Sequence, residues 1–224
     1  VCKFSERGKM AMKITKYIVS IVAASFMNTV LASEAISLSD IQHEWAEINY
    51  KTKEDKDKAF KKLITKAEWL VKQSPEKADS HIWLGIVQSS TAGAEGGLGA
   101  LSYAKAARKN LEEALRLDEN ALQGSALTSL GVLYHKVPGW PIGFGSDKKA
   151  EQLLKRALVV NPEGIDPNYF YAEYLYDEGD YMQAKHFAAI ALQAPAREDR
   201  PVADEGRRAE IGQLISKINK KISD

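Results

Sequence analysis

Cysteine is almost missing from this chain of 224 residues: there is one, Cys2, and it lies upstream of an expected signal-cleavage position. An exported product without it has no disulfide framework and no thiol chemistry. Histidine is scarce and scattered. His43, His81, His135 and His186 stand far apart in an order that contains no H-E-x-x-H arrangement, so neither a metal nor a cofactor is expected, and no metal residues are assigned. No one sign of charge dominates, with 31 Lys and Arg against 30 Asp and Glu. A nucleic-acid partner would ask for a clustered basic face, so none is expected. No stretch alternates apolar and polar residues for long, which removes the usual strand signal. No uncharged run reaches the ~20 residues that span a bilayer comfortably, so stable membrane insertion is not expected.

The charge that is present is unevenly spread. Lys3, Arg7, Lys9, Lys13 and Lys16 face only Glu6 in the first 32 residues, and the remainder holds 26 basic against 29 acidic residues. From Met12 the pattern reads as a secretory signal: Lys13 and Lys16 form a positive start, Tyr17 to Met27 is a mostly apolar run, and Val30-Leu31-Ala32 offers the small residues of a cleavage site. We therefore expect a signal peptide over 1–32, a mature domain over 33–224, and a periplasmic location. A retained signal anchor is the alternative. Ser33 stands where a lipoprotein would carry Cys, so lipid anchoring by that route is not expected.

Beyond the signal, helical spacing prevails. Ile41, Trp45 and Ile48 form one stripe and Ala59, Leu63, Ala67 and Leu70 another, ended by Pro75, which predicts a two-helix hairpin. A repeat then emerges. Tyr171-Ala172, the turn Gly179-Asp180-Tyr181, and Ala184, Ala188 and Ala191 form the least interrupted unit. Leu130-Gly131 with Ala150, Leu154 and Ala157 form another, and Leu84-Gly85 with Ala107, Leu111 and Ala114 a third. The steps from Gly85 to Gly131 and from Gly131 to Ala172 are 46 and 41 residues, longer than the ~34 of an unembellished tetratricopeptide unit. The excess is assigned to insertions at Ser90 to Ser102 and Val137 to Ser146, expected to protrude from one end of the stack. Glycines at Gly93 to Gly99 lack the Lys-Ser/Thr pair of a phosphate loop and read as a connection between helices. The fold class expected is all-α: a tetratricopeptide-like α-α superhelix of three to four hairpins, with repeats near 78–120, 124–162 and 165–196 and a capping helix at 204–220.

Small residues at Gly85, Gly131 and Ala172 let paired helices approach. Positions around them on the first helix of each pair should line a concave groove. These are Ile82, Ile86 and Ser89; Thr128, Val132 and His135; Tyr169, Glu173 and Tyr176. Such a groove suits an apolar molecule with one polar group, or an apolar peptide segment, better than a phosphate or nucleotide. Packing is the plainer reading for Ile82 and Val132, and surface placement for the tyrosines and His135. In the loop Trp140-Pro141-Ile142-Gly143-Phe144, two aromatic rings either plug the open end of a hairpin or form a pocket wall or subunit contact.

Three segments carry a family resemblance: Val137 to Gly145 with Lys148-Lys149-Ala150-Glu151; Asn161 to Tyr171; and Ala203-Asp204-Glu205-Gly206-Arg207-Arg208. Together with Gly96 to Ala100, over about Ala59 to the C-terminus, they resemble the tetratricopeptide-like periplasmic family named for the T component associated with TRAP (tripartite ATP-independent periplasmic) transporters. The resemblance implies a helical module with a pore or groove, able to form a homotrimer and to meet the solute-binding protein of such a transporter. It brings no catalytic residues, and the absent lipoprotein Cys departs from its lipid-anchored members. The expected function is a non-catalytic periplasmic binding or adaptor module linked to solute uptake, holding a small apolar ligand or contacting a periplasmic protein partner. The alternative is a scaffold for envelope protein assembly or quality control without small-molecule cargo. An enzyme is not expected; a buried cluster of His135 with Glu173 or another acid would reopen that possibility.

Overall fold

The structure, a computed structural model, describes residues 36–223; the expected signal segment over 1–32, with Cys2, lies outside them. Every regular element among the described residues is a helix. They are α1 (Leu38–Tyr50), α2 (Lys56–Gln73), α3 (Ala78–Glu95), α4 (Gly97–Leu117), α5 (Ser125–Lys136), α6 (Asp147–Val160), α7 (Ile165–Asp177), α8 (Tyr181–Gln193) and α9 (Pro201–Ser223), with a 3₁₀ turn over Ala121–Gly124. No helix among these residues is long and apolar enough to cross a membrane.

Local chemistry sets the ends. Ser37 opens α1 with a capping box, its hydroxyl accepting from the Asp40 amide at 3.1 Å while its own amide donates to the Asp40 carboxylate at 2.8 Å. Asp180 and Ser146 cap α8 and α6 in the same sense. Apolar positions three, four and seven apart give each outer helix one buried face: Phe60, Leu63 and Ala67 on α2; Ala107, Leu111 and Ala114 on α4; Ala150, Leu154 and Ala157 on α6; Ala184, Ala188 and Ala191 on α8. Each fully buried leucine among them contributes about 1.5–3 kcal/mol.

Consecutive helices pair as antiparallel hairpins, α1/α2, α3/α4, α5/α6 and α7/α8. The close approach is made at the small residues. A side chain begun at Gly85 would lie 2.7 Å from Leu111 Cγ, and one at Gly131 would lie 2.8 Å from Leu154 Cγ, so a glycine is what lets α3 meet α4 and α5 meet α6. Ala172, fully buried, holds the same place in α7. The architecture is the all-α, tetratricopeptide-like superhelix that the spacing predicts.

Two features differ from expectation. The segment Ser90 to Ser102 is not a protruding loop: α3 continues to Glu95, α4 begins at Gly97, and one tight turn at positive φ, Gly96 and Gly97, joins them. Thr91, Ala92 and Ala104 are buried, so the additional residues lengthen both helices and their shared seam instead of leaving it. Val137 to Ser146 does form a loop between α5 and α6. Helix α9, moreover, does more than cap. It packs on α8 and α7 and also reaches α1, so the inner helices α1, α3, α5, α7 and α9 follow one another round to a closed inner layer. Gly206 makes this closure possible, because any side chain there would overlap the ring of Tyr50 on α1.

Candidate functional site

The inner helices enclose a cavity of about 570 Å³, within the range of small-molecule sites. One wall is aromatic. Trp45 of α1 meets Trp83 of α3 edge to face at 5.8 Å, and also meets Tyr50 edge to face, while its indole N–H donates to Ser90 Oγ at 2.8 Å. A second wall is aliphatic and hydroxylic, from Ile86 and Ser89 on α3 and Leu122, Thr128, Ser129 and Val132 on or just before α5. The third wall is charged. The start of α7 brings Asp166 and Phe170, and the connector into α9 brings Arg197, Asp199 and Arg200, followed by Arg207.

Two of the three arginines are consumed by structure. Arg207 is buried, with Nε donating to Asp166 Oδ1 at 2.8 Å and Nη1 to Glu210 Oε2 at 2.6 Å, and its guanidinium covers the rings of Tyr169 and Phe170 at 4.5 and 4.4 Å. Arg197 bridges Asp166 at 2.7 Å and the buried Asp204 at 2.6 Å. Burial by itself would raise the Asp166 carboxyl, but the two guanidinium groups outweigh it and hold the pKa at about 2. Burial pushes the Tyr50 phenol up to about 12, and raises Glu210 despite its bond to Arg207. This network bolts α9 to α7 and then to α1, where Tyr50 donates to Glu210 at 3.2 Å and Lys51 meets Glu205 at 2.8 Å.

Arg200 is different. Its guanidinium lies over Trp83 at 5.0 Å, and among the described residues it makes no ion pair and its buried Nε finds no acceptor. Burial, reinforced by the neighbouring charge of Arg197, lowers its pKa.

The residues singled out from spacing divide into two groups. Ile86, Thr128 and Val132, with Ser89, line the cavity. Ile82, fully buried, belongs to the core instead. The rule of positions fails on α7 because α9 occupies the concave side there. Tyr169 is buried under Arg207, Glu173 faces Lys136 at 3.5 Å, and Tyr176 packs on Tyr181. His135 lies away from the cavity. Its Nε2 meets Asp177 Oδ2 at 2.8 Å and its Nδ1 is 3.6 Å from Asp147, so it links α5 to α7 and to the start of α6. Burial would raise Asp177, yet the bonds from Lys136 and His135 leave it below its ordinary value. Glu173 is not part of the histidine cluster; another acid, Asp177, is, but Asp177 and Asp147 are 38% and 68% exposed, so the cluster is not a buried one, and the buried His135 Nδ1 has no hydrogen-bond partner among the described residues. Donor atoms of His135, Asp147 and Glu178 come within 4.8 Å of one another, a spacing that exposed surface carboxylates adopt without any ion.

The loop residues also separate. Trp140 is 89% exposed and Pro141 is exposed, so the expectation that both rings plug the hairpin end does not hold for the indole. Phe144 turns inward, meeting Tyr134 edge to face at 5.6 Å with the Arg108 guanidinium 4.5 Å over its ring. One partly covered ring closes that end, and the turn leaves the other in water.

Sequence reasoning missed the charged wall altogether. Asp166, Asp204, Gly206 and Arg207 lie inside the segments that carry the family resemblance, and they prove to be the residues that dock α9. Only Arg197 and Arg200, two cations in a short non-helical connector next to Pro195 and Pro201, offered a signal.

No protein-family model matches the chain, and no curated protein matches it. Among solved structures, it is similar to a thermophilic TPR protein of Thermus thermophilus, at a TM-score of 0.60 and 15% identity, over 95% of this chain and 100% of that one. A structure described as a functional characterization of pilF of Pseudomonas aeruginosa aligns over 82% of this chain and 92% of that one, at 16% identity and a TM-score of 0.33. The first likeness shows the fold, a tetratricopeptide-like helical architecture, and at that identity nothing finer.

Proposed function

We propose that this protein is a non-catalytic binding module that holds a small amphipathic molecule in its central cavity. The observation that carries the reading is the closure of the inner layer. When α9 returns to α1, the concave face of the superhelix becomes a partly open chamber with aromatic, aliphatic and hydroxylic walls. His135 and its acids are accounted for as a tie between helices, so the reading assigns them no chemistry. A periplasmic location is part of the proposal and rests on the Lys13 to Ala32 pattern. A place beside a TRAP-type solute-binding protein, and trimeric assembly, rest on the resemblance of the 137–171 and 203–208 segments. Nearby genes for a solute-binding protein and two permease subunits would support that link.

The test is to recover the protein from an expressing cell, measure its mass under native conditions, and extract it with organic solvent. The expected result is a mass excess that solvent removes and a released small molecule. The rival reading, a scaffold for envelope proteins, is favoured by one observation: Trp140 and Ile142 stand 89% and 69% exposed on one loop, as anchors of a protein contact would. An empty protein that captures envelope proteins through that loop would replace the cavity reading with the scaffold.

A further inference from the structure

Arg200 lines the cavity, and among the described residues no carboxylate forms an ion pair with it. A guanidinium offers five donors in a planar fork; Arg200 is half-buried, and its Nε is shut away from water with no acceptor among the described residues, an arrangement that costs free energy. The neighbouring arginines show what this chain does with such groups when it only needs structure: Arg197 receives Asp166 and Asp204, and Arg207 receives Asp166 and Glu210. Of the carboxylates that line the chamber, Asp166 is engaged by Arg197 and Arg207, while Glu163 and Asp199 make no bond to Arg200. The Arg200 Nε is buried and unpartnered among the described residues, and its guanidinium lies 5.0 Å over the Trp83 ring. That combination, one guanidinium with no hydrogen-bonded carboxylate among the described residues, set beside aromatic and aliphatic walls, offers its donors to an acceptor group on a ligand.

We propose that the chamber is an organic-anion site in which Arg200 takes the carboxylate of an amphipathic monoanion, while the apolar body lies along Trp83, Ile86 and Val132. This deepens the ligand-holding reading and rests on it. A carboxylate matches the fork of the guanidinium with two parallel hydrogen bonds. A phosphate monoester or a nucleotide fits less well, because among the described residues Arg200 is the one lining arginine without an ion pair, and the carboxylates of Glu163, Asp166 and Asp199 share the lining. A neutral apolar molecule would fill the walls and leave the Arg200 donors as unsatisfied as before.

The experiment is calorimetric titration with two probes of one shape, decanoate and 1-decanol. It is run on the unaltered protein and on the Arg200→Gln, Arg200→Lys and Val132→Trp variants, each checked for an unchanged melting transition. Arg200 makes no ion pair among the described residues, so its variants lose only its contact with the Trp83 ring. The expected result is that decanoate binds the unaltered protein at least tenfold more tightly than decanol. Arg200→Gln removes that preference by weakening decanoate alone, Arg200→Lys restores part of it, and Val132→Trp blocks both probes. If both probes bind equally to the unaltered protein and to Arg200→Gln, yet Val132→Trp blocks them, the anion inference is overturned and the chamber remains a ligand site. If neither probe binds, or Val132→Trp changes nothing, the ligand-holding reading falls and this inference falls with it.

Discussion

One substitution, glycine to alanine inside a helix, should change sign from place to place in this molecule. In an exposed helix interior the exchange stabilises by about 1 kcal/mol, since alanine loses less backbone entropy on folding. Gly212 on α9 is such a place, exposed and with nothing within 4 Å of the added carbon. At Gly85 the same carbon would stand 2.7 Å from Leu111 Cγ and 3.3 Å from the Ala107 carbonyl oxygen, and at Gly131 it would stand 2.8 Å from Leu154 Cγ. Neither leucine can retreat, being fully buried in the hairpin seam. Overpacking of this kind costs about 1–3 kcal/mol, which exceeds the helix gain over most of its range. Gly212→Ala is therefore expected to raise the urea midpoint and Gly85→Ala and Gly131→Ala to lower it at constant m-value, the latter two losing up to about 2 kcal/mol net. Removing the obstacle should reverse the sign. Leu154→Ala alone costs about 2–5 kcal/mol, but in that background Gly131→Ala should stabilise, a coupling of about 1–3 kcal/mol between the two sites. If Gly85→Ala and Gly131→Ala stabilise as much as Gly212→Ala in the unaltered background, the hairpins do not meet at these glycines and the packing argument is wrong.

Three further outcomes follow from the charged wall and the loop. Arg207→Met should destabilise the fold by about 3–5 kcal/mol, because it breaks a buried ion-pair network, leaving Asp166 with Arg197 alone and Glu210 with no guanidinium; a chemical-denaturation loss below about 1 kcal/mol would contradict the docking role given to it. The Asp166 carboxyl is depressed to about 2, so its stabilisation is complete above about pH 4 and drains away as pH falls toward 2. Since its side chain is 31% exposed, water screens part of the effect; thermal melts should show Asp166→Asn less stable at pH 7 and flatter than the parent between those two pH values. Trp140→Ala should leave stability within about 0.5 kcal/mol, whereas Phe144→Ala should lose about 1–2 kcal/mol from its contacts with Tyr134 and Arg108, and equal losses in paired melts would show the loop packed differently.

What the sequence determines by itself here is whatever depends on neighbours a few residues away. The stripes on α2, α4, α6 and α8 repeat with the helix period, so they announce helices and their buried faces before any fold is known. The small residues Gly85, Gly131 and Ala172 recur at comparable steps, and that recurrence marks where paired helices touch. Tertiary structure decides the rest. Whether Ser90 to Ser102 leaves the stack or lengthens it turns on a single tight turn at Gly96 and Gly97. Whether Tyr169 lines a groove or lies beneath Arg207 turns on the path of α9, which Asp166, 41 residues away, holds in place. The chamber exists because curvature accumulated over four hairpins brings α9 back to α1, and a sum of small rotations between helices leaves no mark on any short stretch of sequence. Arg200 shows the division most sharply: its charge is written in the chain, but that its Nε meets no acceptor among the described residues is decided by the inner layer.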